Sequence, residues 1–88
     1  MNFTRLVSDD LRDTLRKLKK SDPSLFEQVK NKMYEICDSD EITIQRFKNC
    51  KNVLKDHKRV HIGHHVLIFK VVGSTVIFEK FEHHDKAY

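Results

Sequence analysis

The spacing of apolar residues changes once along the chain. Leu11, Leu15 and Leu18 recur at helical intervals, and so do Phe26, Val29, Met33, Ile36 and Cys37. From His57 onward, apolar positions alternate or cluster in short blocks, which is a strand pattern. Punctuation between these runs sharpens the reading. Ser8 stands as an N-cap before Asp9, Asp10 and Asp13, whose charge suits the positive end of a helix. Asp22-Pro23 restarts the helical pattern, and Gly73-Ser74 is a two-residue hairpin turn.

The expected elements are a first strand from Phe3 to Val7, two helices forming a hairpin that turns around Ser21, and strands over His57–Ile62, His65–Val72 and Thr75–Phe81. The hairpin turn sets Phe69 opposite Phe78 and Val71 opposite Val76. Residues 38–56 carry no clear period; there Ile42, Ile44 and Phe47 are expected to anchor the segment while its lysines face outward. Residues 82–88 read as a polar tail. The order β-α-α-β-β-β implies an α+β fold, with the helices on one face of a mainly antiparallel sheet.

The chain is 88 residues long, so residues 1–88 are expected to form a single domain. No apolar run approaches the roughly 20 residues of a membrane span. No apolar signal segment follows the opening residues, so a cytoplasmic protein without membrane contact is expected.

Charge is unevenly laid out. Residues 44–70 hold seven basic side chains against Asp56 alone, whereas residues 1–43 and 71–88 each come to net −1. A local surface for anions would look like this, and so would a solvated lysine-rich loop. Histidine is more skewed still: His57, His61, His64, His65, His83 and His84 all lie in the last 32 residues. Such a cluster suits proton transfer or metal binding.

Metal ligation is disfavoured. Cys37 and Cys50 form no Cys-x-x-Cys pair, Cys37 sits on the apolar face of the second helix, and alternation would turn His61 and His64 to opposite sides of a strand unless the chain bends at Gly63. No glycine-rich phosphate loop and no nucleophile elbow is present. Neither a cofactor nor a metal is expected.

Metal-free RNA cleavage fits the inventory better. Attack of a ribose 2′-hydroxyl on its own phosphate needs a base, an acid for the leaving 5′-oxygen and cations for the added charge. His61, His64 and His84 offer the proton transfers, Lys58 and Arg59 the charge, and Tyr88 an aromatic for an unstacked base. Composition also allows a plainer account, in which His61 and His65 are ordinary strand residues and His83-His84 a solvated tail.

The C-terminal half resembles the RelE/ParE superfamily of toxins from toxin–antitoxin pairs. Three stretches carry the likeness: Lys58-Arg59-Val60-His61-Ile62-Gly63, Val66-Leu67-Ile68-Phe69-Lys70-Val71 and His83-His84-Asp85-Lys86-Ala87-Tyr88. They resemble the family's Arg-x-Arg-Val-Gly strand, its apolar third strand and its closing basic-x-x-x-Tyr element.

The resemblance implies an endoribonuclease that cuts mRNA, commonly on the ribosome, and a cognate antitoxin that wraps around it. It is nearest the histidine-rich, YafQ-like pattern. By position it implies His61, His84, His64 and Tyr88 as catalytic residues, with His61 the base and His84 the acid or the reverse. Arg59 and the lysines of residues 48–58, Lys51, Lys55 and Lys58 among them, would hold the phosphate. The arginine that RelE proteins carry early in the third strand is Val66 here, and the tyrosine before it is His65. Two alternatives share the fold: a ParE-like toxin that inhibits DNA gyrase without cleavage, and a degenerate protein that only binds antitoxin or RNA.

Overall fold

The computed structural model describes residues 2–50 and 56–84. Strand β1 (Thr4–Val7) leads into helices α1 (Asp9–Ser21) and α2 (Pro23–Asp38). A single turn, α3 (Glu41–Ile44), and a two-residue strand, β2 (Lys48–Asn49), follow. Strands β3 (Lys58–Ile62), β4 (His65–Val72) and β5 (Thr75–His83) complete a five-stranded sheet ordered β1-β5-β4-β3-β2.

Local chemistry explains the helix starts. Ser8 Oγ accepts the Leu11 amide proton at 3.1 Å, and the Asp22 carboxylate accepts that of Leu25 at 3.2 Å. Ser8 also ties helix to sheet, because its hydroxyl donates to the Glu79 carbonyl at 2.6 Å while its N–H donates to Phe78. Both helices turn their apolar faces to the sheet. Leu11, Val29, Met33, Ile36 and Cys37 pack with Leu67, Phe69, Val76, Phe78 and Phe81 in one buried cluster. Burial there raises the Cys37 thiol pKa and keeps it a small hydrophobe.

The expected register is present: Phe69 pairs with Phe78 and Val71 with Val76. Beyond that point β5 carries a bulge. Ile68 pairs with Lys80 while Phe69 pairs with Phe78, so Glu79 is an extra residue. The bulge lets Phe78 and Phe81, three positions apart, both face the helices.

The mainly antiparallel sheet is as expected; within it β1 enters parallel to β5, and the other three pairings are antiparallel. Residues 38–56 contain α3 and β2, where Ile44 is buried and Phe47 meets Phe69 edge-on at 5.6 Å. Ile42, expected to anchor that segment, is 71 % exposed instead, because the turn of α3 carries it to the outside. The polar tail begins later than expected, since Glu82 and His83 extend β5 alongside Val66 and His65.

Candidate functional site

With the helices covering one side of the sheet, alternation assigns the other side. Arg59 and His61 on β3, Val66, Ile68 and Lys70 on β4, and Lys80 and Glu82 on β5 point away from the helix-side core. Registered pairs line these residues up in rows across three strands. One row runs His61, Val66, Glu82; the next runs Arg59, Ile68, Lys80. Val66 and Ile68 are buried without belonging to the helix-side core, so the centre of this face is itself covered and its exposed groups lie around them.

The histidines separate into three groups. His61 and His84 come together at the end of this face, with ring centroids 5.1 Å apart and planes tilted by 35°. Both are exposed. The His84 N–H donates to the His64 carbonyl at 2.8 Å, which anchors the end of β5 to the β3–β4 turn.

His64, His65 and His83 form a second group. The His65 ring stacks on Phe81 at 4.9 Å and meets His83 edge-on at 5.3 Å, while His64 and His83 lie 6.5 Å apart. Burial lowers the His65 pKa, and the neighbouring His83 and His64 lower it further against a small opposing effect of Asp22. His64 thus approaches the pair through its backbone, while its ring turns to His83.

His57 stands alone as a clamp. It is buried, with Nε2 2.7 Å from Glu79 Oε2 and Nδ1 2.9 Å from Asp56 Oδ1. The clamp fastens the start of β3 to the bulge of β5, and its hydrogen bond to His57 holds the Asp56 pKa below the usual carboxylate value.

The expected phosphate-binding residues fare unequally. Lys58 is 8 % exposed and points inward, its Nζ donating to Asn49 Oδ1 at 3.0 Å and to the Phe47 and Gln45 carbonyls at 3.2 and 3.4 Å. Its ammonium fastens the α3–β2 connection to β3 and points away from the face that bears Arg59 and His61. Arg59, its neighbour, is half-buried on the other face, with its Nε and Nη1 enclosed. Lys51, Lys55 and Tyr88 lie outside the described residues.

Sequence reasoning missed Lys80 and Glu82. Simple alternation from Phe78 puts them on the core side with it, and only the extra residue Glu79 reverses their direction. Two cations, Arg59 and Lys80, therefore flank Ile68 next to an imidazole pair. Such a surface can hold a phosphodiester and move protons to and from it.

Comparison with known proteins gives the chain a family. The family model described as the ParE toxin of the type II toxin–antitoxin system parDE matches residues 1–88. The chain belongs to the RelE/ParE superfamily of type II toxins. A curated relative of this toxin in Methanocaldococcus jannaschii, named "Putative toxin RelE4", is 38 % identical over 85 residues, covering 93 % of this chain and 86 % of that one. An uncharacterized protein of Methanosarcina mazei is 34 % identical over 91 residues and matches the full length of both chains. The solution structure of a conserved hypothetical protein from Helicobacter pylori shares the toxin's fold. Its TM-score is 0.68 at 16 % identity, over 94 % of this chain and 96 % of that chain.

Proposed function

We propose that this toxin is an mRNA endoribonuclease in which His61 and His84 transfer the protons. The observation that carries the reading is the 5.1 Å approach of the two exposed rings, on the sheet face that also bears Arg59 and Lys80. One neutral imidazole removes the proton of a ribose 2′-hydroxyl as its oxygen bonds to phosphorus. The protonated partner gives a proton to the 5′-oxygen as the P–O5′ bond breaks. A 2′,3′-cyclic phosphate and a free 5′-hydroxyl result, with no change in total protons. Arg59 and Lys80 stabilise the charge that builds on the phosphate oxygens, replacing the arginine that Val66 cannot supply.

A type II toxin implies an antitoxin partner. We infer that an acidic, partly apolar antitoxin segment rests on the side of the molecule away from His61. There Val7, Leu15, Phe26, Met33 and Tyr34 line a groove rimmed by Arg5, Arg12 and Lys30, with Arg5 lying 5.5 Å over the Tyr34 ring. Apolar floor and cationic rim complement such a segment.

The test is to map mRNA ends in a translation extract and on free RNA, with the toxin and with His84→Ala and His61→Ala. Loss of one proton-transfer group should slow cutting roughly 10²- to 10⁴-fold. Undiminished cleavage by His84→Ala would refute the assignment. The ParE family match favours a second reading, gyrase inhibition without cleavage. Supercoiling blocked by a toxin that leaves every RNA intact would establish it.

A further inference from the structure

α2 has a polar flank that the core does not use. Gln28, Asn31, Lys32 and Glu35 fall at i, i+3, i+4 and i+7, so they form one stripe beside the buried stripe of Val29, Met33 and Ile36. This stripe faces the far half of β3. The edge of that half is open, because β2 pairs only with Lys58 and Arg59 and leaves the strand beyond them uncovered among the described residues. Between helix and strand lies an open hollow of about 410 Å³, lined by Gln28, Asn31, Lys32, Glu35, His61 and Gly63 together with Ile62. Gly63 turns the chain at φ +62°, and even an added Cβ there would meet nothing within 4 Å.

The chemistry of the hollow differs from that of the other surfaces. Lys32 Nζ is held 2.9 Å from Glu35, so the lining carries little net charge. Among the described residues the amides of Gln28 and Asn31 have no hydrogen-bond partner. Each amide presents a donor and an acceptor side by side, which matches the edge of a nucleobase and not a phosphate. His61 belongs both to this lining and to the imidazole pair. The hollow lies on the helix side of β3 and the imidazole pair on the other side, so an RNA with its reacting phosphate at that pair reaches the hollow by passing the edge of β3 beyond Arg59.

We propose that this hollow is a nucleobase subsite, in which Gln28 and Asn31 select the base next to the cut. The proposal rests on the nuclease reading for its substrate, but base selection by binding can be measured without cleavage. The probes are four short 2′-O-methyl RNA oligonucleotides that differ at one base and lack the attacking hydroxyl. Affinities are measured for the whole toxin and for Gln28→Ala/Asn31→Ala, with the side-chain amide signals of both residues followed by nuclear magnetic resonance.

The toxin should rank the four bases with a spread of about tenfold, and the variant should compress that spread to about twofold. The Gln28 and Asn31 amide signals should move on binding. A spread that survives in the variant, a toxin that ranks no base, or unmoved amide signals would each overturn the subsite. If RNA is nonetheless cut in a His61-dependent way, the nuclease reading stands without it. Base ranking lost in the variant of a toxin that cuts no RNA leaves the subsite and removes the nuclease.

Discussion

Replacing Lys58 with methionine separates a structural lysine from an RNA-binding one. Methionine keeps most of the unbranched stem and removes only the ammonium. Two of the three hydrogen bonds lost are well formed, to Asn49 Oδ1 at 3.0 Å and the Phe47 carbonyl at 3.2 Å; the third, at 3.4 Å, adds little. Bonds from a charged donor contribute about 1.5–3 kcal/mol each, or about 3–6 kcal/mol for the pair. Relief of the cost of holding the ammonium in a largely dry site offsets part of this, leaving a net loss of about 2–3 kcal/mol. In a domain this small, that lowers Tm by roughly 10–20 °C.

Urea titration followed by circular dichroism measures the loss as a lower midpoint at constant slope. The deficit should persist at 0.5 M salt, because the ammonium is shielded from the solvent ions that screen a surface charge. A variant within about 0.5 kcal/mol of wild type whose RNA binding weakens steeply would refute the reasoning and return Lys58 to the substrate surface.

The paired substitution Arg12→Glu/Lys30→Glu should weaken antitoxin binding at least tenfold at 0.1 M salt, and less at 0.5 M, by isothermal titration calorimetry. Unchanged affinity would remove the groove from the antitoxin interface. His65 governs part of the acid response. Its folded pKa lies below the ordinary 6.5, so the unfolded chain binds the proton more tightly, and stability falls as pH drops through 6.5 and below. His65→Phe keeps the stack on Phe81 and removes the proton, so urea midpoints between pH 7.5 and 5 should fall less steeply than in wild type. Equal slopes would mean that His65 titrates alike in both states.

Much of the fold is local information and is legible along the chain. Ser8, Asp22 and Gly73 each act within a few residues, through a cap or a turn, and the elements they delimit stand as read. The pairing of Phe69 with Phe78 follows from a two-residue turn and needs nothing from the rest of the molecule. The approach of His61 to His84 is partly local too, since β3 and β5 flank β4 and bring the end of one strand near the end of the other.

Tertiary structure decided what the open face contains. One extra residue at Glu79 turns Lys80 and Glu82 outward, and its one trace in the sequence is the three-residue step from Phe78 to Phe81, which breaks the period of two. Lys58 reads as a surface cation in a basic stretch until the Gln45 and Phe47 carbonyls, thirteen and eleven residues away, close around it. Gln28 and Asn31 are unremarkable on a polar helix flank until packing sets that flank beside His61. Period and punctuation determine which elements form, because those interactions reach only a few residues. The neighbours of a side chain depend on how separate elements dock, and that is settled by the packing of the whole core.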